Sequence, residues 1–231
     1  MLLTNHRQAG ASKRDAESCL RHTAGHVTMG AMVDATPGRF SAHFEYEQAR
    51  TVPIERFAYL REALVNDPLE IASLRRPRIP EPPRAGEGGI DCRSCTAGDG
   101  EYLWSDPHWR IHTVDEPRAL FFVLVNPREH YEDLPDLPPD RAAELGPLLQ
   151  RMESALRALG DVGQVHTHKW GDGGAHLHLW QIVRPLGMMQ ARGVGLTVWL
   201  QALPPLPADT WNAAARDFAR EMARGGGTAH R

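Results

Sequence analysis

The stretch Gly173-Gly174-Ala175-His176-Leu177-His178-Leu179-Trp180 decides how this chain is read. Two imidazoles stand at i and i+2, separated by a leucine and preceded by glycines. In a β-strand that spacing turns both histidines to one face and both leucines to the other. Histidines so presented are metal ligands, nucleophiles or both. A distant pair, Cys92-Arg93-Ser94-Cys95, and His130 in Pro127-Arg128-Glu129-His130-Tyr131 widen the reading. In a reducing compartment a C-x-x-C pair is a metal clip or a redox motif. Two thiols of no consequence are the third alternative.

Composition bounds the remaining possibilities. The 231 residues suffice for one generous domain with an extension, and a hydrophobic fraction of 42% suffices for a core, while 18 prolines and 21 glycines imply much loop. No apolar run approaches the ~20 residues that cross a bilayer, and the first residues lack a signal-peptide core, so no membrane association and a cytoplasmic location are expected. A net charge of −3 with interspersed signs gives no footprint for duplex nucleic acid. Arg75, Arg76, Arg78 and Arg84 stand among prolines and read as a solvated linker.

The chain divides into three parts. Residues 1–50 lack sustained periodicity and are expected to be a poorly ordered extension. Residues 51–89 carry a short amphipathic helix, with Ile54, Phe57, Leu60 and Leu64 at helical spacing, and a Pro/Arg/Gly-rich linker. The compact domain spans 90–231. Within it, Trp109–Val114 alternates as a half-buried strand, and Ala119–Val125 is an apolar run bounded by prolines, as suits a central strand. A helix follows Pro138-Pro139, with Leu145, Leu148, Leu149, Met152, Leu156 and Leu159 on one stripe and Gly160 as its stop. Val162–His168 and Ala175–Val183 read as paired strands about the Gly171-Asp172-Gly173-Gly174 turn, and Ala208–Met222 is a final helix. The sum is an α+β domain: an antiparallel sheet with a long helix and a C-terminal helix.

A closed zinc site takes four Cys or His ligands, and a C-x-x-C turn supplies two. Cys92 and Cys95 lack a second close pair, so the remaining donors must come from distant strands, with His130 and His176 as candidates. His178 invites a different reading. Neutral imidazole is a competent nucleophile, and attack on phosphorus needs the other ring nitrogen's proton held by an acceptor. The amides of Gly171, Gly173 and Gly174 could form a nest for phosphate oxygens, glycine permitting close approach and positive φ. A glycine-rich hairpin with outward, idle histidines explains this segment equally well.

The order and spacing of four segments resemble the histidine triad superfamily of nucleotide hydrolases and transferases: Cys92-x-x-Cys95, Val125-Asn126-Pro127-Arg128-Glu129-His130, the helix after Pro138-Pro139, and Ala175–Arg184. The resemblance covers about Ile90–Pro185 and implies a histidine triad-like fold. Arg184, four residues after Trp180, sets the register. His176 is then the first triad position, His178 the middle one and Trp180 the third. The resemblance implies that His178 is the nucleophile and that Cys92, Cys95, His130 and His176 hold Zn2+, as in some members and in galactose-1-phosphate uridylyltransferases. It implies a nucleotide substrate, and family members often pair as homodimers. The chain departs from the family at Trp180, which replaces a histidine, and at His166-Thr167-His168-Lys169-Trp170-Gly171-Asp172, which replaces Asn-x-Gly and Gly-Gln-x-Val. His166, His168 and Lys169 are then substitute substrate contacts. Two function classes follow: a nucleotide hydrolase or nucleotidyltransferase, or a catalytically silent zinc-containing domain that binds a nucleotide or a protein.

Overall fold

The fold is built around the apolar run at 119–125. The computed structural model describes residues 33–34, 36, 39, 41–42, 44–57, 60 and 63–231. Along these the strands are β1 (Val33–Asp34), β2 (Arg50–Val52), β3 (Leu69–Ile71), β4 (Arg78–Ile79), β5 (Trp104–Ser105), β6 (Trp109–His112), β7 (Phe122–Pro127), β8 (Val162–His168), β9 (Leu179–Pro185) and β10 (Thr228–Ala229). The helices are α1 (Arg93–Thr96), α2 (Pro139–Ala158), α3 (Gly195–Ala202) and α4 (Ala208–Arg224).

Six strands form one antiparallel sheet in the order β10-β5-β6-β7-β9-β8. β7 is buried at every position, which is why its sequence is apolar on both faces. In register, His112 faces Leu124, Leu124 faces Trp180, and Trp180 faces His168. Directly opposed residues share a face, so these four side chains lie on one side of the sheet.

The helices supply the other half of the core. α2 buries Leu148, Met152, Ala155 and Leu156, a stripe at helical spacing, and contacts β8, β9 and α4. Gln181 on β9 donates from Nε2 to the Leu149 carbonyl at 3.0 Å, fastening strand to helix. α4 buries Trp211, Ala215, Phe218, Ala219 and Met222, and the Trp211 ring stands edge-on to Phe121 and Phe122. After α4 the chain returns to the sheet through Gly225-Gly226-Gly227. Gly227 has φ +78°, and a Cβ there would lie 2.3 Å from the Trp104 ring, so only glycine lets β10 close beside β5.

The antiparallel sheet, the long helix and the C-terminal helix agree with the sequence reading, and several details differ from it. β9 begins at Leu179, leaving His176 at a bend and His178 in irregular backbone just before it. The helix expected from Pro53 to Val65 lies partly outside the described residues, at 58–59 and 61–62; the described residues show a short 3-10 turn at Ile54–Arg56 and a Leu64 N–H donating to the Leu60 carbonyl at 2.9 Å. The segment connects β2 to β3, which pair antiparallel, and Asp67 Oδ1 accepts the Ile54 N–H at 3.2 Å. Within residues 1–50, β1 pairs with β4 and β2 begins at Arg50; residues 1–32 lie outside the described residues. The solvated-linker reading fails at Arg84, whose guanidinium meets Glu132 and Asp133. Among the described residues no helix is long and apolar enough to cross a membrane.

Candidate metal and ligand site

Three separate parts of the chain bring four donors together. Cys92 precedes the single turn of α1, and the Cys95 N–H donates to the Cys92 carbonyl at 3.2 Å, which stacks the two sulfurs. The Ser94 carbonyl accepts from Arg110 Nη1 at 3.3 Å and from the Tyr102 hydroxyl at 3.4 Å, fixing this turn to the sheet. His130 follows the end of β7, and His176 precedes β9. One donor atom from each of Cys92, Cys95, His130 and His176 lies within 4.8 Å of all the others.

The distances suit a shared ion. His176 Nδ1 stands 3.3 Å from Cys92 Sγ and 3.7 Å from Cys95 Sγ, and His130 Nδ1 stands 3.5 Å from Cys95 Sγ. Tetrahedral zinc, with bonds of about 2.3 Å to sulfur and 2.0–2.1 Å to nitrogen, separates sulfur from nitrogen by roughly 3.6 Å. Both rings are held from behind through their other nitrogen. His176 Nε2 donates to the Pro127 carbonyl at 2.8 Å, and His130 Nε2 faces Glu132 Oε1 at 3.5 Å. Such partners fix the tautomer that leaves Nδ1 free to ligate. Burial pushes the His176 pKa down to about 4, partly opposed by its bond to Pro127, so the ring is neutral at pH 7, as a ligand must be. Cys92 is a free, buried thiol.

His178 lies next to this cluster and is oriented differently. Its Nδ1 donates to the His176 carbonyl at 2.9 Å, which directs the Nε2 lone pair away from the backbone. The ring lines a cavity of about 300 Å³ together with Gly86, Arg93, His112, Asn126 and Gly174. That volume is at the small end of ligand pockets. Asn126, 3% exposed, donates from Nδ2 to the Leu177 carbonyl at 3.4 Å, pinning the backbone between the two histidines to the central strand.

The glycine bend is arranged otherwise than expected. Gly171, Gly173 and Gly174 do not take positive φ. The Gly173 carbonyl accepts from Ala85 N–H at 3.1 Å, and Ala175 N–H donates to the Ala85 carbonyl at 2.9 Å. Among the described residues the N–H groups of Gly173 and Gly174 form no hydrogen bond. Only Gly174 of the three lines the cavity.

His166, His168 and Lys169 stand apart from it. His168 stacks on Trp170, centroids 4.5 Å apart and planes at 12°, and His166 lies parallel to His168 at 6.2 Å. Burial lowers both imidazole pKa values. Lys169 is ion-paired with Asp133, and that bond is the foremost reason the Asp133 carboxyl titrates below the ordinary range. Trp180 packs on Phe122 at 4.9 Å and on Trp170 at 5.6 Å, and its Nε1 is buried without a partner among the described residues. The sequence reading did not single out Arg93, His112 or Asn126. Asn126 had a signal, a lone amide inside an otherwise apolar strand.

No family model matches the sequence, and no curated protein matches it. Solved structures similar to the chain are histidine triad proteins. One, from Bradyrhizobium japonicum, is 18% identical, over 52% of this chain and 89% of that one, with a TM-score of 0.44. A zinc-bound histidine triad family protein from Mycobacterium smegmatis is 19% identical, over 58% and 95%, with a TM-score of 0.42. The diadenosine triphosphate hydrolase of Plasmodium falciparum is 11% identical, over 55% and 80%, with a TM-score of 0.41.

Proposed function

We propose that the chain is a nucleotide hydrolase or nucleotidyltransferase that cleaves a phosphoanhydride or phosphoramide bond through His178, with a zinc ion held by Cys92, Cys95, His130 and His176. The observation that carries this reading is the 2.9 Å bond from His178 Nδ1 to the His176 carbonyl, on a ring that lines the cavity. It fixes the neutral tautomer whose Nε2 lone pair is free. The motif order noted in the sequence supports the same assignment.

In this reading Nε2 attacks the α-phosphorus, an N–P bond forms, and the bond to the leaving group breaks with its electron pair. The leaving group takes up a proton from solvent. Water, or an acceptor hydroxyl in the transferase variant, then displaces His178 from phosphorus and releases the nucleotide. Zinc, when bound, supplies structure: it fastens the C-x-x-C turn to the segments on either side of the central strand and holds the backbone that carries His178. Gly174, with its free N–H, is the member of the glycine bend that faces the bound phosphate.

The catalytically silent alternative draws on one observation. Trp180 is packed into an aromatic group with Phe122 and Trp170, its Nε1 is buried, and it does not line the cavity. Turnover decides between the two. Wild type is expected to cleave adenosine 5′-phosphoramidate or a dinucleoside polyphosphate, His178→Ala to lose at least a hundredfold in rate, and quenched wild-type reactions to yield a nucleotidylated His178 peptide by mass spectrometry. Equal, negligible rates in both proteins would establish the silent domain.

A further inference from the structure

The segment just before the C-x-x-C turn belongs to the site. Arg84 donates from Nη2 to Glu132 Oε2 at 2.8 Å, and from Nη1 to Asp133 Oδ2 and to the Gly171 carbonyl, both at 3.3 Å. One guanidinium thus holds the turn after His130 and the start of the glycine bend. Next to it Ala85 pairs by backbone with Gly173 and Ala175. Gly86 follows at φ +81°, where a Cβ would come within 3.3 Å of Cys92, so the chain passes closely over the metal donor. Ala85 and Gly86 both line the cavity that holds His178. Glu132 itself is shared, its Oε1 accepting from Gly88 N–H at 2.6 Å and facing His130 Nε2 at 3.5 Å.

We propose that residues 84–86 form a strap that walls the ligand cavity, anchored by Arg84, a positioning residue that ties the turn bearing His130 to the glycine bend before His178. The chemistry favours arginine for this task, because its planar fork reaches two carboxylates and a carbonyl at once. Charge points the same way. Glu132 and Asp133 place two negative charges beside the bend, and Arg84 with Lys169 balances them. Without Arg84 the bend faces an uncompensated carboxylate, which opposes an incoming phosphate and leaves the bend's carbonyl untied. The ligand part of this inference rests on the nucleotide reading of the cavity; the mechanical part does not.

The test uses the full, reduced chain supplied with zinc. Amide hydrogen exchange by mass spectrometry should show peptides covering 170–176 exchanging about tenfold faster in Arg84→Ala than in wild type, with β7 peptides unchanged, because local opening is governed by local contacts. Exchange at the bend equal to wild type overturns the proposal. Should Arg84→Ala also lose protection in β7, the decision passes to Arg84→Lys, which keeps the charge and loses the fork. Bend-specific acceleration in that variant supports the strap, and its absence overturns it. With AMP as the probe, calorimetry should give a dissociation constant about tenfold higher for Arg84→Ala, recovered in part by Arg84→Lys. Unchanged AMP affinity beside a wild type that binds overturns the positioning role. A wild type that does not bind AMP would sink the nucleotide reading, and the exchange data would still decide the strap.

Discussion

Acidifying the metal-free, reduced protein should destabilise it through His176. The ring is 5% exposed, and its pKa in the folded chain, about 4, lies below the ordinary 6.5 because burial penalises the charged form. Above pH 6.5 both states hold a neutral ring and the group contributes no pH dependence. As pH falls from there, the unfolded chain takes up a proton that the folded chain refuses, so stability declines until the folded pKa is reached. The slope is at most one proton, about 1.4 kcal/mol per pH unit, and the window between the two values gives a loss of about 3 kcal/mol. That is a large part of the 5–15 kcal/mol typical of a domain. Burial lowers His112, His166 and His168 in the same direction, so the wild-type curve alone does not isolate His176. Urea unfolding from pH 7.5 to 4.5, in chelator and reductant, should show a shallower pH dependence for His176→Gln than for wild type, by about 3 kcal/mol over the range. Parallel curves for the two proteins, or a His176 NMR titration midpoint near 6.5, would refute the reasoning.

Zinc should raise the melting temperature of reduced wild type, with about 4 kcal/mol of stabilisation at a thousandfold excess over its dissociation constant, and should not do so in Cys92→Ser; identical shifts in both proteins would remove the four-donor site. Asp99→Ala leaves the buried Arg110 guanidinium without its 2.9 Å carboxylate partner and should cost about 2 kcal/mol in urea unfolding, whereas an unchanged midpoint would mean that solvent already carries that charge. Gly227→Ala places a Cβ against the Trp104 ring at positive φ and should cost about 2–3 kcal/mol; a wild-type melting curve would show that β10 does not hold that corner.

The parts of the fold that could be read from the sequence are those in which one physical signal dominates. The run 119–125 is apolar on both faces because β7 is covered on both faces, and the leucine stripe of α2 is amphipathic because one side meets the sheet. The four residues that converge as possible metal donors were legible for a similar reason, since thiol and imidazole are side chains suited to binding zinc. β5 and β10 were not legible: two residues each are too short for a period, and their pairing is dictated by Trp104 and Gly227, far apart in the chain. The strap was hidden by composition, because a Pro/Arg/Gly stretch looks solvated unless its carboxylate partners, 48 and 49 residues later, are known. His166, His168 and Lys169 carry suitable chemistry for phosphate, yet His168 stacks on Trp170, His166 lies parallel to His168 and Lys169 meets Asp133, contacts that no spacing rule reveals.

Cys92 and Cys95 stand 84 and 81 positions before His176, and Cys95 stands 35 before His130. Two thiols of one short loop meet on forming a single turn, whereas the imidazoles arrive only after distant strands have zipped together across the middle of the sheet. Joining remote stretches is entropically slow. If the site takes the proposed ion, the sulfurs would catch it early and the rings would seal it late, so that full coordination would close maturation rather than seed it.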